Sequence, residues 1–170
     1  MSKKLLLLQD IVCNYHPRFI KDPNRKQWAL ESPEDFNVER LVEQSFAAVG
    51  PYNFIDSAHC DFDDGTDSKT ASIRLNPKTA GGNSHVGEIS GVTTAGGSLK
   101  LGALRTIIYN PHTNKLMYYF LPRDLWENNI TYHPTSGVGK IVYSYHRPTD
   151  YIAKFDGYQC SSFEELAKAK

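Results

Sequence analysis

Residues 53–75, NFIDSAHCDFDDGTDSKTASIRL, decide how the chain is read. A short apolar run ends in an acid (Phe54, Ile55, Asp56), an acid-rich polar segment follows, and a strand-like run opens on Asp67-Ser68-Lys69. Side chains in a strand alternate with period two, so Asp67 and Lys69 share a face. Two carboxylates at adjacent strand ends form an oxygen site for a hard divalent cation, which makes Asp56 and Asp67 candidate ligands. A lysine beside them can orient an attacking water or offset charge building on a phosphate, and Lys69 stands in that place. The plain counter-reading is an acidic surface loop between two strands, with Lys69 a solvated charge.

The flanks of this stretch set its context. Upstream, Ser32-Pro33-Glu34-Asp35 combines a capping serine, a proline for the first turn and acids facing the positive end of the helix dipole. Val38, Leu41, Val42, Phe46 and Val49 recur at helical spacing up to Gly50-Pro51, so the pattern predicts a helix over 33–49, with Glu39 and Glu43 one turn apart beside the apolar stripe. Downstream, strands are expected at 52–56, 68–75, 86–93, 103–110, 115–121 and 140–146. The run ALRTIIYNPHTNKLMYYFL, 103–121, reads as a hairpin about Asn110-Pro111-His112-Thr113-Asn114, and 127–139 reads as loop. Residues 3–15 read as a short helix or a strand, since Leu5, Leu8, Ile11, Val12 and Tyr15 fit a helical stripe, the favoured reading, while the four-leucine run fits either; His16-Pro17 ends the element, and Ser162-Phe163-Glu164-Glu165 is a capping box that starts a terminal helix. The expected fold is one α/β (α+β) domain, a mixed sheet flanked by helices.

A chain of 170 residues suits one well-packed domain, and 40% hydrophobic residues with no low-complexity tract argue for a globular fold. The 19 basic and 19 acidic residues cancel, which removes the long-range positive field of indiscriminate nucleic-acid binders but leaves room for a local cleft. The 3 cysteines, with no CxxC pair, suit reduced thiols in the cytoplasm. Gln9 and Asp10 break the leucine run of MSKKLLLLQDIV too early for a signal-peptide core or a membrane span. Cys13-x-x-His16 with His59-Cys60 is a weak zinc set, since adjacent ligands on an extended chain point opposite ways. Asp61-x-Asp63-Asp64-Gly65 departs from a calcium loop, because its glycine falls one position early and no glutamate closes it. The chain contains no GxSxG.

The order helix, Asp56, then Asp67-x-Lys69, followed by a polar segment and a strand pair, resembles the PD-(D/E)XK nucleases, in particular the small type II restriction endonucleases, over residues 32–126. The resemblance implies a restriction-endonuclease-like fold and a Mg²⁺-dependent endonuclease that hydrolyses phosphodiester bonds of double-stranded DNA, usually as a homodimer. It implies Asp56 and Asp67 as Mg²⁺ ligands, Lys69 as the residue that positions the attacking water, and a supporting glutamate from the preceding helix, Glu39 or Glu43. The polar residues after the lysine strand, Arg74, Lys78, Asn83, Ser84 and His85, would meet DNA. A second assignment takes Asp67 as first acid and Glu88 as second, with Ser90 where lysine belongs. Two departures stand beside the match: Ile55 rather than proline precedes Asp56, and the span between the lysine strand and the hairpin is glycine-rich where that family has a helix. The alternative function is a non-enzymatic α/β binding or accessory protein that works through a sheet rich in tyrosine and through its glycine loops.

Overall fold

The computed structural model describes residues 2–20, 37–76, 84–93, 98–111, 113–144 and 152–170. They build a mixed α and β fold with three layers: helices, a mixed sheet, and a second, antiparallel sheet. Helix α1 (Lys3–Tyr15) starts where the Ser2 hydroxyl accepts from the Leu5 amide, and it buries Leu8, Ile11 and Val12. Helix α2 (Val38–Val49) is capped by Asn37, whose side chain accepts from the Arg40 amide, and it buries Val38, Val42, Ser45 and Phe46 before Gly50-Pro51 ends it. The start expected at 32–35 lies outside the described residues.

The first sheet has the order β1-β4-β5-β8, with β1 (Asp67–Ser72) at an edge, β4 (Leu104–Asn110) and β5 (Lys115–Leu121) inside, and β8 (Gln159–Cys160) at the far edge. β1 runs parallel to β4, Asp67 opposite Leu104, whereas β4 and β5 form the antiparallel hairpin expected from their sequence. The second sheet, order β2-β3-β7-β6, contains β2 (Arg74–Asn76), β3 (Ser84–Ser90), β7 (Gly139–Ser144) and β6 (Ile130–Tyr132). Short helix α3 (Arg123–Glu127) follows the hairpin, a 3-10 turn spans Ile152–Tyr158, and α4 (Phe163–Lys168) follows the capping serine, Ser162.

Alternation along β4 explains the layering. Ile107 faces the helices and joins Leu8, Val12, Val42, Phe46, Phe62 and Phe163, while Leu104 and Ile108 face the second sheet with Ile89, Val92, Trp126 and Ile141. Each such side chain contributes about 1.5–3 kcal/mol when it leaves water. Residues 104–108 of β4 are all buried, Arg105 and Thr106 included, as a central strand covered on both faces requires.

The expected mixed sheet flanked by helices is present, and a second sheet stands beside it, because the chain leaves β1 for β2 and β3 in a second layer before it returns to β4. Two local sequence readings are corrected. The strand expected at 52–56 reduces to one bridge, Phe54 opposite Phe62: the amides of Ile55 and Asp56 both donate to the Asp61 carbonyl, which folds 55–61 into a tight loop. The loop expected at 127–139 contains β6, paired to β7 through Ile130 and Ile141.

Arg105 of β4 ties three of these parts together. Its side chain is 2% exposed, and it donates to the Leu166 carbonyl at 2.6 Å, the Ala169 carbonyl at 3.0 Å, the Thr66 hydroxyl at 3.1 Å and the Asp64 carboxylate at 2.9 Å. Its guanidinium lies 4.3 Å from the Tyr52 ring centre and 5.1 Å from that of Phe120. Replacement by alanine strands these acceptors and opens the space between the rings, so Arg105→Ala is expected to cost about 3–5 kcal/mol in urea unfolding. Arg105→Lys should recover little of it, because an ammonium cannot reach four acceptors in a planar fork.

Candidate metal centre

The loop from Asp56 to Asp67 and one face of α2 enclose an acidic cluster at the open edge of β1. Asp56 sits at φ 50, a left-handed conformation that aspartate tolerates better than most residues, and this turns its carboxylate toward α2. There it forms an ion pair with Arg40, whose Nε lies 4.0 Å from Glu43 Oε2. Glu43, Asp56 and Asp61 each offer a carboxylate oxygen, all within 4.8 Å of one another. Ligand oxygens on opposite sides of a magnesium or calcium ion lie about 4–5 Å apart, so three oxygens within 4.8 Å of one another are compatible with either ion.

Asp67 and Lys69 occupy the next positions inward. Lys69 Nζ is 2.8 Å from Asp67 Oδ2, as the period of the strand requires, and Lys100 Nζ is 3.7 Å from Oδ1. The Asp67 side chain is 1% exposed, yet neither oxygen has an aligned hydrogen-bond donor: the lysines neutralise its charge without satisfying its lone pairs. Lys100 also donates to the Ala58 carbonyl at 2.9 Å, and the Leu101 amide donates to the His59 carbonyl at 3.2 Å, which fasten the 56–61 loop beside Asp67.

The electrostatics match the crowding. Burial, then the Asp61 carboxylate, push Glu43 up to about 7 against the opposing pull of Arg40. Burial and the neighbouring Asp67 raise Asp61 as well, although the Ser68 amide at 2.8 Å and Lys69 favour its charged form. Carboxylates packed this closely repel unless a proton or a cation lies among them.

The sequence-predicted residues are partly assembled. Asp67 and Lys69 pair directly; Asp56 joins the cluster through Glu43 and Asp61, with no ion pair to Lys69. Glu43 is the helix glutamate that enters, while Glu39 accepts from the Thr70 hydroxyl at 3.2 Å. In the sequence Asp61 stands out only as the start of an imperfect calcium loop, in a run of four acids with nothing in its spacing to separate it from the others; in the fold Asp63 turns to Asn53 and Asp64 to Arg105. Glu88 pairs with Lys140 at 3.0 Å on the second sheet, so the alternative assignment around Glu88 is not assembled. Of the DNA-facing candidates, Lys78 and Asn83 lie outside the described residues, and Arg74, Ser84 and His85 are described in backbone alone, with Arg74 opposite Val86, His85 opposite Leu75 and Ser84 opposite Asn76. Cys13, Cys60 and Cys160 form no disulfide, and His16 bonds Gln44 at 2.8 Å. A polar cavity of about 240 Å³, lined by Glu39, Glu43, Ser68, Lys69, Thr70 and Ser90, opens beside the cluster between α2, β1 and β3.

No model of a known protein family matches the chain, and no curated protein matches it.

The raised Glu43 carboxyl has a consequence for stability. Its pKa in the folded state exceeds its ordinary value, so the folded state binds more protons, and the stabilisation present below about 4.5 is lost as pH rises through about 7. Thermal melts without metal should therefore fall between pH 5 and pH 8. Mn²⁺ should raise the melting temperature more at pH 8 than at pH 5, and Glu43→Gln should flatten the metal-free profile; a metal-free profile already flat in the wild type would refute the account.

Proposed function

We propose that the protein is a divalent-metal-dependent endonuclease acting on double-stranded DNA, of the small restriction-enzyme kind. The observation that carries this reading is the Asp67–Lys69 pair on an edge strand beside three carboxylates whose oxygens lie within 4.8 Å. Glu43, Asp56 and Asp61 are the residues that would hold the ion, with Asp67 behind them. When bound, Mg²⁺ would polarise the scissile phosphate and favour ionised water beside it. Lys69, 17% exposed and already desolvated, faces the polar cavity with a charge that can steer water and offset the extra charge on phosphate. Lys100 anchors the ligand-bearing loop, and Ser68 and Ser90 line the cavity, where their hydroxyls would donate to phosphate oxygens.

A duplex has two strands of opposite polarity, and a two-fold homodimer is the simplest way to present one site to each. Three cysteines outside any disulfide support residence in the reducing cytoplasm, and among the described residues no helix is long and apolar enough to cross a membrane.

Supercoiled plasmid with Mg²⁺ tests the reading. Wild-type protein should nick or linearise it, EDTA should stop this, and Asp61→Asn, Asp67→Ala and Lys69→Ala should each reduce cleavage by about a hundredfold or more while the proteins remain folded. Asp61→Asn should also weaken Mn²⁺ binding, whereas Lys69→Ala should leave it largely intact. Wild-type protein that binds Mn²⁺ but cleaves neither duplex nor single-stranded DNA would remove the nuclease reading. Sedimentation at the mass of a monomer, both alone and on DNA, would remove the dimer.

A further inference from the structure

A cation already sits in the acidic cluster. Arg40, one turn before Glu43 on α2, reaches the Asp56 carboxylate with Nη1 and approaches Glu43 with Nε, so a single guanidinium serves two of the three oxygens-bearing groups that converge there. Its side chain is 42% exposed, and its guanidinium lies 5.3 Å from the Phe54 ring centre at the rim of the loop. Asp67 is a second, independent observation beside the cluster: its carboxylate is 1% exposed, with Lys69 Nζ 2.8 Å from one oxygen and Lys100 Nζ 3.7 Å from the other, yet neither oxygen accepts an aligned hydrogen bond, which leaves lone pairs for a further cation.

We propose that Arg40 is a displaceable internal cation of this centre: it holds Asp56 until a divalent ion takes the carboxylate, and the released guanidinium then bonds a phosphate oxygen of the nucleic acid. The proposal rests on the metal-dependent reading of the site. Three features support displacement over a fixed role. The pair is exposed at both ends, so solvent can replace either partner and the pair holds weakly. Asp56 meets Arg40 from a short loop, while Glu43 and Asp61 crowd it with like charge, and an ion of charge two offsets that repulsion better than a guanidinium shared at the rim. Once an ion neutralises the acids, Arg40 is a planar donor fork beside an electrically quenched site, the geometry that binds a phosphodiester bidentately. Until then the same acids repel a phosphate, so metal and polyanion would bind in a fixed order.

Arg40→Gln tests this, since glutamine keeps helix propensity and length at an exposed position. Titration calorimetry with Mn²⁺ alone should show affinity about threefold or more tighter than wild type, the worth of an exposed ion pair no longer in competition. Binding of a duplex carrying non-hydrolysable phosphorothioate linkages in Ca²⁺ should weaken about tenfold or more, with little change in metal-free buffer. A structural role predicts neither this pair of opposite signs nor the dependence of the second on metal. Unchanged or weaker Mn²⁺ affinity in Arg40→Gln, with wild-type binding intact, overturns the latch and leaves the metal centre standing. Tighter Mn²⁺ with unchanged duplex binding overturns the phosphate contact. Absence of Mn²⁺ binding from both proteins overturns the latch and the metal-dependent function together.

Discussion

The buried Arg105 guanidinium is where the first sheet, the end of α4 and the turn before β1 are joined. From near the start of β4 it reaches the carbonyls at the end of α4, the Thr66 hydroxyl and the Asp64 carboxylate, with Tyr52 and Phe120 against its faces. A charge so far from water is tolerable only when its donors are used, and here four acceptors and two rings use them. The consequence extends beyond stability. Thr66 and Asp64 belong to the turn that delivers the chain to Asp67, and Thr66 is itself fixed by its hydroxyl on Asp64 at 2.6 Å. The place at which β1 begins, and hence where the Asp67 carboxylate stands relative to α2, is set by a residue in the neighbouring strand.

Around that fixed point the acidic cluster is held by backbone more than by side chains. The Asp61 carbonyl accepts from two amides of its own loop, the Ser68 amide grips the Asp61 carboxylate, and Lys100 pins the Ala58 carbonyl. These bonds resist the repulsion that would spread Glu43, Asp56, Asp61 and Asp67 apart. Burial first, and the neighbouring Asp61 carboxylate next, raise the pKa of Glu43, and protonation relieves the repulsion among acids that the loop keeps close.

The parts legible in the sequence were those with local causes. The 115–121 strand and its partner ending at Asn110 follow from β-rich runs about a turn, α1 and α4 from capping residues and apolar spacing, and the Asp67–Lys69 pairing from the period of two. What was missed depends on distant partners. Nothing near 52–56 announces that the Asp61 carbonyl will claim the Ile55 and Asp56 amides and leave Asp56 at positive φ. The short β6 forms because β7 offers it an edge, although its own three residues carry little signal. Asp61 resembles its neighbours Asp63 and Asp64 in composition and separates from them only by where each carboxylate ends up. Glu43 and Glu39 likewise share a helical face, and it takes the position of Thr70 to draw Glu39 away.

The composition of β1 narrows what its edge is for. DSKTAS has one apolar residue, and an edge strand rich in charge and hydroxyl is a common defence against unwanted strand pairing. That defence requires the charges to face water, and here they do not: Asp67 is 1% exposed and Lys69 17%. An ion pair drawn out of solvent gives back in attraction little more than it loses in hydration, and an apolar pair of the same volume would serve the fold as well or better. Protection of the edge and stability of the core therefore both fail to account for the pair. What it does provide is a carboxylate and an ammonium held at fixed separation in a poorly hydrated pocket, next to three further acids and an open polar cavity. Such an arrangement would strengthen every interaction with an incoming cation or phosphate, and it is the feature on which the proposed metal-dependent reading rests.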